Sequence, residues 1–174
     1  MKKTILFLAL AFACAFATDA NAQKFSDIDK SVVDIAYYKT DRNAPPIVKV
    51  VYGRPLKKGR EVFGSLVPFG KVWRTGANEA TEIKFFKDVT FGDKQVKAGT
   101  YSLFTIPNAG EWTIILSSDL DVWGAYSYKE SSDVVRTKVP VTTDSKSLEA
   151  FSIAFNGSNL VLGWDKTRVE VPIK

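Results

Sequence analysis

The chain has 174 residues, 45% hydrophobic and 25% charged, with a formal net charge of +5. This is ordinary globular usage, which excludes a disordered tail and a multi-span membrane protein; the mild basic excess, spread along the chain, is no nucleic-acid footprint. Histidine is absent, and the single cysteine and single methionine are Cys14 and Met1.

Lys2 and Lys3, an uncharged apolar run over residues 5–16 and the triplet Ala20-Asn21-Ala22 read as a secretory signal peptide over residues 1–22. The run is short for a bilayer span, which takes ~20 apolar residues. Cys14 lies inside the run rather than after it, which speaks against a lipid anchor. The expectation is export to the periplasm or the cell exterior, with no membrane span after cleavage. Residues 23–174 then form one domain with no His, no Cys and no Met. Ser-His-Asp and Cys-His catalysis, His/Cys zinc sites, disulfides and haem ligation all drop out, and no cofactor is expected. Any chemistry falls to carboxylates, amines, guanidinium groups, hydroxyls and amides.

From residue 31 onward the hydrophobic period is two. Val33, Ile35 and Tyr37 alternate with Asp34 and Ala36; Val48, Val50 and Tyr52 alternate with Lys49; Ile83 and Phe85 alternate with Glu82 and Lys84. Residues 101–106 and 112–116 are apolar enough for core strands, and 134–139 is a weaker candidate. Phe151, Ile153 and Phe155 share a face, as do Leu160, Leu162 and Trp164, and then Val169, Val171 and Ile173. Gly92-Asp93, Pro107-Asn108-Ala109-Gly110 and Asn156-Gly157 supply turns between these runs. Short strands joined by turns, with no helical period, predict an all-β fold: one antiparallel β-sandwich or jelly-roll-like domain with a long irregular Gly/Arg-rich segment.

That segment covers residues 53–80, with five glycines, two prolines, and Arg54, Arg60 and Arg74. Connections longer than ~12–15 residues are uncommon in compact domains and are often functional. The guanidinium fork suits carboxylate, phosphate or clustered carbonyls. Arg54, Arg60, Trp73, Arg74, Asn78 and Glu79 therefore make a candidate ligand site, although the same groups also serve to satisfy the carbonyls of a long crossing. A second irregular stretch, residues 118–132, carries Trp123, Tyr126 and Tyr128. These rings either stack on a sugar or another flat face, or fold back as a lid. Asp119-x-Asp121 lacks the glycine and distal Glu of a calcium loop, so no metal is expected. No catalytic residues are assigned.

The chain resembles a known family through Tyr52-Gly53-Arg54-Pro55, Gly59-Arg60, Phe63-Gly64, Leu66-Val67-Pro68-Phe69-Gly70 and the block running from Trp73 through Arg74, Thr75, Gly76, Ala77, Asn78 and Glu79 to Thr81. The blocks 98–104, Ile106-Pro107, Trp112, Trp123-Gly124-Ala125-Tyr126 and Trp164-Asp165 add to it. It is similar to the exported bacterial domain-of-unknown-function family 2911, frequent in Bacteroidetes. The resemblance implies an exported domain and carries no activity or site residues.

Three functions compete. The first is a non-catalytic binding or accessory domain holding a small polar or anionic ligand, a glycan or a partner protein of the envelope between the arginine segment and the Trp123/Tyr126 loop. The second is a structural envelope or partner-binding domain without a ligand site. The third is a carboxylate-dependent hydrolase such as a glycosidase, drawing on Glu61, Glu79, Asp121 and Asp133. The lack of histidine weighs against catalysis.

Overall fold

A computed structural model describes residues 25–174, so the expected signal peptide over 1–22 lies outside the described residues. The chain is all-β. Its strands are β1 (Val33–Tyr38), β2 (Val48–Gly53), β3 (Thr81–Phe85), β4 (Val89–Phe91), β5 (Lys94–Val96), β6 (Gly99–Ile106), β7 (Glu111–Ser117), β8 (Asp133–Asn156) and β9 (Asn159–Val171), with one 3-10 turn at Glu130–Ser132. A seven-stranded antiparallel sheet in the order β1-β2-β3-β6-β7-β8-β9 curls into a half-barrel, and β4 and β5 form a separate hairpin. Among the described residues no helix is long and apolar enough to cross a membrane.

The curl comes from β8. Its first part pairs with β7 as far as Pro140, and from Val141 it pairs with β9, with register shifts on either side of Leu148. Such irregularities bend a strand and raise its twist. The β8–β9 hairpin thereby folds over the inner face of β2, β3, β6 and β7. Val50, Ile83, Leu103, Ile114, Phe151 and Leu162 meet between the layers, all 0–1% exposed. The tail of β9 clips the β4–β5 hairpin: Thr90 and Lys174 exchange backbone hydrogen bonds of 2.7 and 2.9 Å.

Alternation predicts which faces are buried in most strands, but not in β1. There Val33, Ile35 and Tyr37 are 62%, 44% and 48% exposed, while Asp34, Ala36 and Tyr38 face inward. The reason is local: Asp34 is ion-paired to Arg54, and Tyr38 stacks on Phe155 with centroids 5.7 Å apart. Strand β8 also runs further than its weak hydrophobic pattern over 134–139 foretells. Asn156-Gly157 forms the expected tight turn, with Gly157 at a φ of 58° and Asn156 opposite Asn159.

Residues 53–80 cross from β8 to β6. The first half lies along β8: Lys57 N–H donates to Glu149 and Phe151 N–H to Pro55, at 2.7 and 2.9 Å. The second half reaches β6, where Trp73 and Thr105 exchange backbone bonds of 2.7 and 2.9 Å. Thr81 then pairs with Leu103 on the same strand, and the Thr81 N–H closes on the Arg74 carbonyl at 3.0 Å. Residues 74–80 are therefore a loop thrown out between two pairings on β6.

That loop packs against the end of β2 so closely that Gly53 has no room for a side chain. A Cβ there would collide with the Ala77 carbonyl oxygen. Gly53→Ala is expected to destabilise the fold by about 1–3 kcal/mol, the usual cost of overpacking against backbone, read as a lowered denaturation midpoint in urea.

Candidate functional site

The cleft at residues 53–80 is built by alternation within an extended segment. Trp73 points inward, 8% exposed, with its ring 5.0 Å from Phe151 and 6.0 Å from Trp164, and its indole N–H donates to the Gly76 carbonyl at 3.2 Å. Thr75 is fully buried at a φ of 57°, a conformation that β-branched residues rarely adopt. Three hydrogen bonds hold it: its hydroxyl to Trp73 O and to Thr105 Oγ1, and the Thr81 hydroxyl to its own carbonyl at 2.7 Å. Arg74, between these two inward residues, is turned the other way.

Arg74 faces a cleft of about 400 Å³ whose walls include Pro55, Leu66, Val67, Trp73 and Trp164. Arg60, Lys71 and Asn78 share the lining, and among the described residues no carboxylate does. The Arg74 Nε is buried without a hydrogen-bond partner. An unmet buried donor costs about 1–3 kcal/mol, more when charged.

The three arginines have separate fates. Arg54 is a tie: it donates to the Phe151 carbonyl at 3.0 Å, to Ser152 Oγ at 2.8 Å and to Asp34 Oδ2 at 3.0 Å, joining β1, β2 and β8. Arg60 caps its own turn, donating to the Lys57 and Leu56 carbonyls at 2.9 and 2.6 Å, and still borders the cleft. Arg74 alone has an open fork. The cleft therefore gathers Arg60, Trp73, Arg74 and Asn78 from the expected set and leaves Arg54 out.

Glu79, Trp123 and Tyr126 lie elsewhere. Glu79 and Trp123 border an adjoining groove with Asp29 and Asn78, and Glu79 shares a third depression with Glu82 and Asp121. Among the described residues no group of three acidic side chains is placed to hold a metal ion. Trp123 is 60% and Tyr126 86% exposed, and neither lines the cationic cleft. Asp29 is held below the usual carboxylate range first by the Ser31 N–H, which donates to it at 2.6 Å, and then by the Asn78 side chain nearby.

The rest of the 118–132 loop is a lid. Val122, Ala125 and Tyr128 cover Phe104 and Ile115 on the outer face of β6 and β7. Ala80 N–H donates to Val122 and Gly124 N–H to Asn78, at 2.9 and 3.0 Å, so the lid also braces the loop beside the cleft. Its far end is anchored by the Tyr128 hydroxyl, which donates to Asp133 Oδ2 at 2.7 Å, with Arg136 Nε at 3.0 Å from the same oxygen. Burial, then the Asp133 contact, pushes the Tyr128 phenol well above its ordinary value of 10.0.

Lys71, Leu66 and Trp164 are lining residues that sequence reasoning did not select. Lys71 stands three residues before Arg74, a spacing that was there to be noticed; Trp164 arrives from β9, and no local pattern announces it.

The family model described as Protein of unknown function (DUF2911) matches residues 36–173. The chain belongs to this family. The matched range spans every strand from within β1 to the tail of β9 and, Ser31 apart, the whole lining of the cleft. No curated protein and no solved structure matches the chain.

Two outcomes test the roles of these groups in this family member. Arg54→Met is expected to lower the unfolding free energy by about 1–3 kcal/mol, whereas Arg74→Met stays within about 0.5 kcal/mol of the parent or gains stability, both measured by urea denaturation. The second concerns pH. The folded state favours the neutral Tyr128 phenol, so its contribution is fully present below pH 10 and is lost as pH rises through the raised folded value. Stability is therefore expected to fall more steeply above about pH 10 in the parent than in Tyr128→Phe, measured by denaturation at a series of alkaline pH values.

Proposed function

We propose that the protein is an exported, non-catalytic binding protein whose cleft takes an anionic small molecule. The observation that carries this reading is the Arg74 guanidinium, its Nε buried and, among the described residues, unpartnered, in a cleft that these residues border with Arg60 and Lys71 and with no carboxylate. Three like charges around one concavity raise the local concentration of anions and favour their capture. The guanidinium fork supplies directional donors, which a flexible ammonium does not. The strained Thr75 backbone supports the same reading, since strain of this kind clusters where surroundings over-determine a functional geometry.

Of the hydrolase candidates Glu61, Glu79, Asp121 and Asp133, Glu79 and Asp121 share a depression with Glu82, away from the cationic cleft, and Glu61 and Asp133 do not line it. Export is inferred from residues 1–22.

Thermal unfolding of residues 23–174 against a panel of organic anions, phosphate, neutral glycans and divalent metals tests the reading. At 100 times Kd a bound anion is expected to add about 2.7 kcal/mol, and so to raise Tm by several degrees. Arg74→Met is expected to abolish that shift, while a Trp123→Ala, Tyr126→Ala double variant retains it. A panel in which neutral glycans shift Tm and anions do not would overturn the proposal.

A further inference from the structure

We infer that the anion is carried on an apolar body: one carboxylate or phosphate head joined to a hydrophobic ring or chain, rather than a bare inorganic oxyanion. This rests on the anion-binding reading and adds the class of ligand.

The first argument is size. The half-open cleft offers about 400 Å³, whereas each water in the liquid occupies about 30 Å³. A bare phosphate, equivalent to a few waters, would leave most of that space filled by solvent against apolar walls. The second argument is the walls themselves. Pro55, Leu66, Val67, Pro68, Trp73 and Trp164 make up six of the fourteen lining residues, so an apolar wall stands opposite the cations. Leu66 stays 39% exposed at the lip, and the Pro68 beside it is also exposed. A solvated leucine next to a cation cluster gains nothing from inorganic phosphate but gains from a methylene chain or ring laid across it.

The third argument is the depth of the charges. Arg74 sits inward with its Nε shielded from water, while Arg60 and Lys71 are exposed at the mouth. The head therefore goes down to Arg74, and the body lies back over the Leu66–Pro68 lip between the two rim cations. Because no carboxylate lines the cleft, nothing there complements a positive charge on the body. Asn78 offers one amide for a hydroxyl or carbonyl partway along.

Calorimetric titration of the folded protein with matched pairs tests this: acetate against benzoate and octanoate, inorganic phosphate against phenyl phosphate, with benzamide as the neutral control. Benzoate or octanoate and phenyl phosphate are expected to bind about tenfold or more tightly than acetate and phosphate, as burial of several extra carbons requires. Leu66→Ser, a change at an exposed lip, is expected to reduce that advantage. Arg74→Met should weaken every anion. Acetate and phosphate binding as tightly as their apolar homologues would overturn the class of ligand and leave the anion-binding reading standing. Benzamide binding as tightly as benzoate would instead overturn the anion-binding reading itself. The ring and chain arms both support the inference, and their ratio tells which body fits better.

Discussion

The cleft depends on one wedge, the indole of Trp73. It fills the space between the half-barrel sheet and the β8–β9 hairpin, its centroid 5.0 Å from Phe151, 6.2 Å from Trp112 and 6.0 Å from Trp164. Edge-on packing against Phe151 and Trp112 and stacking on Trp164 have preferred geometries and contribute beyond the area they bury. A twenty-odd-residue crossing with few ladder bonds would otherwise be poorly fixed. The wedge, with the paired bonds between Trp73 and Thr105, fixes it at one point. Everything around that point follows from the pleat: with Trp73 and Thr75 inward, Arg74 has only the cleft to face.

The same constraint explains why three arginines in one segment do three jobs. Arg54 lies where the crossing leaves β2 beside β8, and there the Phe151 carbonyl and Ser152 hydroxyl are already presented to it. Arg60 follows a tight turn at Gly59, φ 70°, so the nearest acceptors are that turn's own carbonyls. By Arg74 the backbone carbonyls are committed to β6 and to Thr81 N–H, and no acceptor remains within reach. An arginine left open in this way costs stability that an apolar residue would not. Standing beside a strained threonine, it supports the proposed trade of stability for binding.

Much of the fold was legible in the sequence because a half-buried strand advertises itself. Phe151, Ile153, Leu160, Leu162 and Trp164 each alternate, and each lies on the buried face foretold. The pattern misled at β1, where Asp34 is drawn inward by Arg54 across the sheet. It went silent over residues 140–150, where β8 holds its course through β9 partners rather than its own hydrophobicity. The site was half legible. Arg60, Trp73, Arg74 and Asn78 stand close in sequence, and a glycine-rich irregular segment marks them out. Ser31 and Trp164 reach the same cleft from the two ends of the chain, and only the closed topology brings them there. Composition could count the arginines but not tell a paired one from an open one.

The lid and the cleft share a wall, which bears on how rigid the site is. Asn78 lines the cleft, accepts the Gly124 N–H through its carbonyl, and presents its side chain to Asp29 of the lead-in. At φ 64° it occupies the left-handed region that asparagine tolerates better than most residues. Two neighbouring elements thus hold one side of the mouth, while the opposite side, Leu66 to Lys71, has only its own turn bonds and the Gly70 N–H to Pro107 contact at 2.9 Å. Few long-range bonds and exposed side chains place a segment at the low end of local stability. The Leu66 side of the cleft is therefore the wall free to adjust to a bound body, and the Asn78 side, braced by the lid, is the one that keeps Arg74 in place.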